Sequence, residues 1–284
     1  MRVLENITSV KNVIRSEKAR GARIGLVPTM GFLHVGHMSL IERCVKENDI
    51  TIVSTFVNPA QFGPNMDFDR YPRNIDKDRA MLIDASVNYV FHPSIEEIYP
   101  HGYNTWVEVE KITNLLDGAS RPGYFRGICT VVLKLFNITM CDTTYFGQKD
   151  IQQALTIKKL ITDLNLDIDL TIMPIIRESD GLAMSSRNEY LNPKDRKTAT
   201  VIYKGLSTAK NMFFQGEYRA SELIRAVRDV LTTEKNIHID YVDVVDMDEM
   251  QRLDNTGDIC CIAVAVNLNG TRLIDNIILE KQVE

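Results

Sequence analysis

Short apolar runs alternate with amphipathic stretches through the first half of the chain. Ile24-Gly25-Leu26-Val27 reads as a buried strand ended by Pro28. From about Gly36 to Lys46, Leu40, Ile41, Cys44 and Val45 share one face of a predicted helix. Ile50 to Phe56 is β-branched and apolar, the mark of a second strand. Ile75 to Ala85 is helical in pattern, and Asn88 to Phe91 is a strand ended by Pro93. An apolar helix over Gly127 to Asn137, a strand over Thr143 to Phe146 and a helix over Ile151 to Leu164 follow. Asp169 to Met173 closes the series before Pro174. Such alternation with short connections predicts right-handed βαβ units and a parallel sheet. Ligands of these sheets gather in the crevice beyond the carboxyl ends of the strands.

After about Arg177 the pattern changes. Pro193 to Phe214 and Glu217 to Glu234 read as two helices, and Ile239 to Val245, Cys260 to Val266 and Arg272 to Leu279 as three strands. The expectation is an α/β protein with a Rossmann-like parallel-sheet domain over residues 1–176. A smaller α+β domain would span 177–284. No internal repeat or low-complexity stretch interrupts it.

Composition narrows the class. The 284 residues carry 33 basic and 38 acidic side chains, a net charge of −5, with 44% hydrophobic and 25% charged residues. That excludes a disordered, collagen-like or coiled-coil chain. Mild acidity argues against nucleic-acid partners and a basic membrane-surface role, but leaves room for an anionic small ligand held by local cations. The five cysteines, at 44, 129, 141, 260 and 261, are odd in number and form no CxxC. They read as buried free thiols in a reducing compartment. The apolar run Ile128 to Met140 is too short to span a membrane and carries Lys134. The N-terminal residues lack a signal-peptide pattern. A cytoplasmic location is expected.

The sharpest chemical feature is Pro28-Thr29-Met30-Gly31-Phe32-Leu33-His34-Val35-Gly36-His37, between a predicted strand and helix. The helix start offers unpaired N–H groups and a dipole that favours an anion. Gly31 and Gly36 permit close backbone approach. His34 and His37, three apart, point the same way on a helical turn and suit donation to phosphate oxygens during phosphoryl or nucleotidyl transfer. A capping pair or chance metal site is the plainer alternative. The strand–turn–helix setting and the glycines favour function.

Phe146-Gly147-Gln148-Lys149-Asp150 falls at the same predicted sheet edge. Lys149 is a point-charge donor for phosphate. Asp150 is equally well read as a helix cap, and Gln153 would face the crevice one turn on. Arg177 to Asn188 is polar and glycine-bearing, with Ser185, Ser186 and Arg187 as phosphate donors. By itself it reads as a linker whose serines cap the next helix. Asn58 and Gln61 suit an uncharged or carboxylate-bearing substrate, and Arg126 suits an anion or a surface acid. No Ser–His–Asp order, zinc-ligand spacing, Walker loop or well-placed GxGxxG is present. A triphosphate cradle of His34, His37, Lys149, Ser185, Ser186 and Arg187 remains.

Taken together, Pro28 to His37, Phe56 to Phe62, Tyr71-Pro72-Arg73, Arg121 to Gly127, Tyr145 to Gln153 and Gly181 to Asn188 resemble the pantoate–β-alanine ligase family of HxGH nucleotidyltransferases. The resemblance runs in family order over nearly the whole chain. It implies that pantoate carboxylate attacks the α-phosphorus of ATP, and that β-alanine then displaces AMP from pantoyl adenylate. It implies nucleotide contacts from Met30, Gly31, Phe32, Leu33, His34, Val35, Gly36 and His37, with His37 as proton donor. It places phosphates on Lys149, Ser185, Ser186 and Arg187, beside Met184. Adenine and ribose fall to Gly147, Gln148, Lys149, Asp150 and the backbone at Ile176. Pantoate falls to Gln61 and Gln153, with Asn58 and Arg126 as further substrate contacts. A lid function for the C-terminal domain, a Mg2+ requirement with protein ligands unassigned, and a homodimer are also implied.

Three departures stand out. Phe32 and Val35 replace residues that are usually smaller or more polar, and Tyr124 stands where a histidine is common. The segment Arg177-Glu178-Ser179 is more acidic than usual. Rival readings are a cytidylyltransferase of the same superfamily, an aminoacyl-tRNA synthetase, and a nucleotide-sensing module. The first gives no reason for Gln61 and Gln153, and the second lacks an anticodon-binding domain. The third gives no reason to keep His34, His37, Lys149 and Arg187 together.

Overall fold

The computed structural model describes residues 1–63 and 67–281. They form two compact units. The first comprises Met1–Val109, Arg121–Gly147 and Thr156–Pro174; the second comprises Glu110–Ser120, Gln148–Leu155 and Ile175–Glu284.

The first unit is built on six parallel strands: β1 (Arg2–Leu4), β2 (Ile24–Thr29), β3 (Ile50–Thr55), β4 (Tyr89–Phe91), β5 (Thr143–Gly147) and β6 (Asp169–Met173). Their order in the sheet is β1-β4-β3-β2-β5-β6. The anticipated helices appear at Val35–Glu47, Ile75–Asp84, Tyr124–Thr139 and Ile151–Asp163. Val27, Leu33, Ile41, Cys44, Val53, Leu82, Val90 and Tyr145 form one packed cluster beneath the sheet.

Strand β1, helix Ile7–Lys18 and the one-turn helix Ile95–Ile98 fall outside the elements expected above. Strand β1 has only three residues, too few to show alternation. Helix Ile7–Lys18 carries Ile7, Val10, Val13 and Ile14 at helical spacing, of which only Val10 and Ile14 are buried. Its start is nevertheless marked by Asn6, whose side chain accepts from the Ser9 N–H at 2.8 Å.

The order reverses at β2, which continues to β3 on one side and neighbours β5 on the other. This is a topological switch point. β2 pairs with β3 along its full length, from Ile24–Ile50 to Thr29–Thr55. With β5 it pairs only at Gly25–Thr143 and Leu26–Thr144. The pairing of β2 with β5 therefore stops short of their carboxyl ends, where a switch point of this kind places its ligand. Pro28 lies beyond the stretch paired to β5, so its missing N–H breaks no ladder there.

The second unit is α+β. Strands β7 (Ile237–Val245), β8 (Ile259–Leu268) and β9 (Thr271–Glu280) form an antiparallel sheet in chain order. Asn269 and Gly270, both at positive φ, make the two-residue hairpin between β8 and β9. Leu206, Phe213, Leu223, Val227, Val244, Ile262, Val264 and Leu279 are among its buried core.

The single helix expected over Pro193 to Phe214 is instead two, Pro193–Thr198 and Val201–Phe214. Thr200 Oγ1 donates to the Lys197 carbonyl at 2.8 Å, a local side-chain bond that competes with the helical ladder at the break. Among the described residues no helix is long and apolar enough to cross a membrane.

Candidate functional site

The histidine turn leaves β2 through two successive left-handed residues, Gly31 (φ 80°) and Phe32 (φ 52°). Such a conformation costs an L side chain about 1–2 kcal/mol, so something must hold it. The holder is Asp78, 2% exposed, on helix Ile75–Asp84. Its two carboxylate oxygens accept from the Phe32 N–H at 2.8 Å and the Leu33 N–H at 2.7 Å. Thr29 Oγ1 accepts from the Gly31 N–H at 3.1 Å and donates to the Ser54 carbonyl at 2.7 Å. Leu33 is fully buried and anchors the turn in the core. Phe32 presents its ring to the Lys77 ammonium, 5.2 Å from the centroid. A larger residue is thus accommodated at position 32 by a partner on the same helix as Asp78.

His34 is the N-cap of helix Val35–Glu47, and His37 sits one turn in. Their ring centroids are 4.0 Å apart. The His34 N–H donates to His37 Nδ1 at 3.4 Å. With Nδ1 accepting, a neutral His37 carries its proton on Nε2 and can donate from there. Both rings are half-buried, and the intervening Val35 is 60% exposed. The pairing expected from the i, i+3 spacing is therefore a contact of the two rings at the start of a helix.

The stretch after β3 supplies an amide cluster beside this turn. Asn58 caps the short helical turn Pro59–Gln61. Asn58 Nδ2 donates to Gln61 Oε1 and to the Gly127 carbonyl, both at 3.1 Å, while its Oδ1 accepts from the Tyr99 hydroxyl at 2.9 Å. Gln61 Nε2 reaches Met30 Sδ at 3.1 Å. Met30, Asn58 and Gln61 are thus brought together at the carboxyl ends of adjacent strands. Gly127 allows this, because a Cβ there would lie 2.2 Å from the Ala60 carbonyl oxygen.

Of the two nearby arginines, Arg121 is the one on this cluster. Its Nη2 donates to the Gln61 carbonyl at 3.4 Å, and its guanidinium lies 3.4 Å from the Tyr124 ring centroid. Tyr124 is buried and serves as Arg121's stacking surface. Arg126 is exposed, 3.7 Å from Glu108 and over the Trp106 ring.

In the second unit, Gln148–Asp150 form a tight helical turn leading into helix Ile151–Asp163. Lys149 Nζ is 3.7 Å from Asp150 Oδ2 and its side chain is 19% exposed. Gln152 is buried and anchors the helix start: its Nε2 donates to the Ile112 and Leu115 carbonyls at 2.7 and 2.9 Å. Gln153, rotated past it, is half-buried.

The Ile176–Asn188 stretch is an ordered hairpin-like loop. The Met184 N–H donates to the Ile176 carbonyl at 3.0 Å, and the Glu178 N–H to the Leu182 carbonyl at 2.8 Å. Gly181 turns it at φ 94°, against the Tyr203 ring. Arg196 grips the acidic residues of the loop, Glu178 at 2.6 Å and Asp180 at 2.8 Å. Those acids thus have a cation of their own. Ser185 Oγ accepts from the Arg187 N–H at 3.3 Å, so it caps the short Ser186–Tyr190 turn. Ser186 is buried and Arg187 half-buried.

Asp78 and Arg121 hold these stretches, as does Asn276 on the Gln148 and Lys149 carbonyls. Sequence alone assigns none of the three a role. For Asp78 the one clue is an acid four residues past Asn74 in a first helical turn, a placement shared by countless helix caps.

The chain is similar to several known proteins. A family model described as pantoate-beta-alanine ligase matches residues 2–278. Pantothenate synthetase of Acetivibrio thermocellus is 50% identical over 280 residues, covering 99% of this chain and 100% of the relative. That of Caldicellulosiruptor saccharolyticus is 49% identical with the same coverage. The crystal structure of pantothenate synthetase from Thermus thermophilus superposes with a TM-score of 0.93 at 40% identity, covering 98% of this chain and 99% of that one. A Francisella tularensis pantoate-beta-alanine ligase complexed with beta-gamma ATP and beta-alanine gives 0.80 at 35% identity, covering 98% and 97%.

Proposed function

The chain belongs to the pantoate-beta-alanine ligase family, and from that membership we propose how its residues divide the reaction. It is an ATP-dependent ligase that joins pantoate to β-alanine. In our reading a pantoate carboxylate oxygen attacks the α-phosphorus of ATP, the bond to the β-phosphate oxygen breaks, and pyrophosphate leaves. The β-alanine amine then attacks the pantoyl carbonyl and AMP departs, its phosphate keeping the electron pair of the broken C–O bond.

No step needs a covalent bond to the protein, so catalysis rests on positioning and charge stabilisation. His37 Nε2 and the His34 ring donate to the phosphates as charge moves onto them. Lys149, Ser185, Ser186 and Arg187 hold the same triphosphate, with Met184 beside them. The backbone of Met30 to Val35 and Gly36 lies along the nucleotide, and Gly147 to Asp150 with Ile176 frame adenosine. Gln61 and Gln153 bind pantoate, assisted by Asn58. Residues 177–284 act as the lid that keeps the mixed anhydride from water.

The observation that carries this reading is the amide cluster of Asn58 and Gln61 on Met30. It sets neutral hydrogen-bonding groups, suited to a hydroxy acid, directly against the turn that bears the two histidines. Arg121, held on the Gln61 carbonyl, is better placed than Arg126 to attract the pantoate carboxylate.

Mg2+ enters as a companion of ATP. Among the described residues no group of three or more His, Cys, Asp or Glu side chains forms a cation cage. Both oxygens of Asp78 are committed to backbone N–H groups. The residues present do not fit a protein-caged ion, whereas Mg2+ commonly keeps its waters and rides on substrate phosphates. We further infer a cytoplasmic homodimer, which sedimentation of the purified protein would check.

The test of the reaction order is exchange of labelled pyrophosphate into ATP. We expect exchange that requires pantoate and proceeds without β-alanine. Exchange that ignores pantoate, or that needs β-alanine, defeats the proposed sequence.

A further inference from the structure

Neighbouring residues of β9 reach the turn that carries Lys149 and, through Arg177, the loop that precedes Ser185. Asn276 is 2% exposed. Its Nδ2 donates to the Gln148 carbonyl at 2.8 Å and to the Lys149 carbonyl at 3.0 Å. Its Oδ1 accepts from Gln148 Nε2 at 3.1 Å. Both donor hydrogens and the acceptor of this amide are thus spent on a single turn, the one that carries Lys149. Next to it, Asp275 is 4% exposed and accepts from both Arg177 Nη1 and Nη2, at 2.6 and 2.9 Å. Arg177 also donates to the Gly181 carbonyl at 3.1 Å and lies over the Tyr203 ring at 4.0 Å, which pins the Ile176–Met184 loop. The Asn276 N–H closes back on Asp275 Oδ1 at 2.8 Å, and Arg177 Nη2 on the Asn276 carbonyl at 3.3 Å, so the two anchors form one network.

We propose that Asn276 is a positioning residue for the reaction: by gripping the Gln148 and Lys149 carbonyls from β9 it sets where the Lys149 ammonium stands, while its neighbour Asp275 holds the Ile176–Met184 loop through Arg177. This rests on the reading that Lys149 serves the ATP phosphates.

The physical need is clear. Lys149 lies in a single turn before helix Ile151–Asp163, and one turn of helix is not self-supporting. A long lysine stem loses nothing by wandering unless its backbone is held, and charge stabilisation requires the cation in place before the charge develops. If Asn276 merely filled space, an apolar residue of its volume would serve. Instead its amide gives both donor hydrogens to two successive carbonyls of that turn and takes a third bond from the Gln148 side chain, contacts an apolar residue of its volume would not make.

A double-mutant cycle tests this. Pyrophosphate exchange and the Michaelis constants for ATP and pantoate are measured for wild type, Asn276→Ala, Lys149→Ala and the double variant, each with its melting temperature. Asn276→Asp is carried alongside; it is isosteric, keeps the acceptor and loses both donors. We expect either change at 276 to lower exchange by about 10²-fold, the scale of a 1 Å misplacement. The Michaelis constant for pantoate should stay within threefold. In the Lys149→Ala background the loss should shrink to less than threefold. An undiminished loss in that background overturns the proposal, because Asn276 would then act on the fold at large while Lys149 keeps its role. Wild-type exchange in either folded variant at 276 overturns it as well. Wild-type exchange in Lys149→Ala alone sinks the underlying reading instead. If Asn276→Ala does not fold, the cycle is run with Asn276→Asp and the same criteria apply.

Discussion

Asp78 offers the severest test of how the histidine turn is built. Asp78→Ala removes two charge-assisted hydrogen bonds, of 2.8 and 2.7 Å, to the Phe32 and Leu33 amides. Hydrogen bonds to charged groups contribute about 1.5–3 kcal/mol each, so the pair sums to roughly 3–6 kcal/mol. The released turn can relieve the left-handed strain at Phe32, which returns about 1–2 kcal/mol. The net loss of stability should be about 2–4 kcal/mol, because Leu33 stays fully buried and its amide cannot easily reach water. Asp78→Asn should do little better. Its amide keeps one acceptor but points an N–H group at a backbone N–H. Asp78→Glu keeps both oxygens and should recover part of the loss. Urea unfolding gives the stability change, and pantoate-dependent pyrophosphate exchange gives the effect on the histidines. We expect exchange to fall by about 10²-fold in Asp78→Ala, as the rings at 34 and 37 lose their fixed start. An alanine variant within about 1 kcal/mol of wild type and within threefold in exchange would refute the clamp.

Four further outcomes follow from the same geometry. His37→Ala should lower exchange by roughly 10²-fold or more, the size expected for a lost donor to developing charge; full activity would remove its assignment. Gln61→Ala should raise the Michaelis constant for pantoate more than that for ATP, and equal weakening would end its role as a substrate contact. Gly127→Ala gains about 0.5–1 kcal/mol of helix propensity but meets the Ala60 carbonyl at 2.2 Å. Overpacking of about 1–3 kcal/mol wins, so the variant should melt lower and bind pantoate less well; a higher melting temperature would contradict this contact. Burial pushes the thiols of Cys44, Cys129 and Cys141 up to about 12 and that of Cys260 to about 11. These folded-state values lie above those of an unfolded thiol, so the unfolded chain loses its protons first. Stability should therefore be unaffected below about pH 9 and fall as pH rises toward 12. Native protein at about pH 8 should resist iodoacetamide, and rapid labelling of any of the four would contradict their burial.

Much of the fold lies on the surface of the sequence. Strand Asp169–Met173 and helix Ile151–Asp163 fall where apolar spacing places them, give or take a residue. Local periodicity and the prolines at 28, 93 and 174 mark these elements without any help from distant residues. The local form of the histidine turn is equally legible, because a strand–glycine–helix junction is itself a local structure. The thiols are free and buried, in keeping with an odd count and no paired spacing. Where the pattern is thin, it fails. Three residues suffice for β1 because β4 pairs with them from a point more than eighty residues away.

What the sequence alone determined is the class of the molecule and the kinds of groups gathered on its turns. Those follow from interactions between residues a few places apart. Only the tertiary structure decided what holds those groups still. Asp78 reaches back 45 and 46 residues to Leu33 and Phe32, Asn276 reaches 127 residues to Lys149, and Arg121 rather than Arg126 lies on Gln61. A carboxylate or an amide carries no mark of its partner along the chain. The partner is selected when buried backbone groups, removed from water by packing, must find a donor or acceptor within about 3 Å.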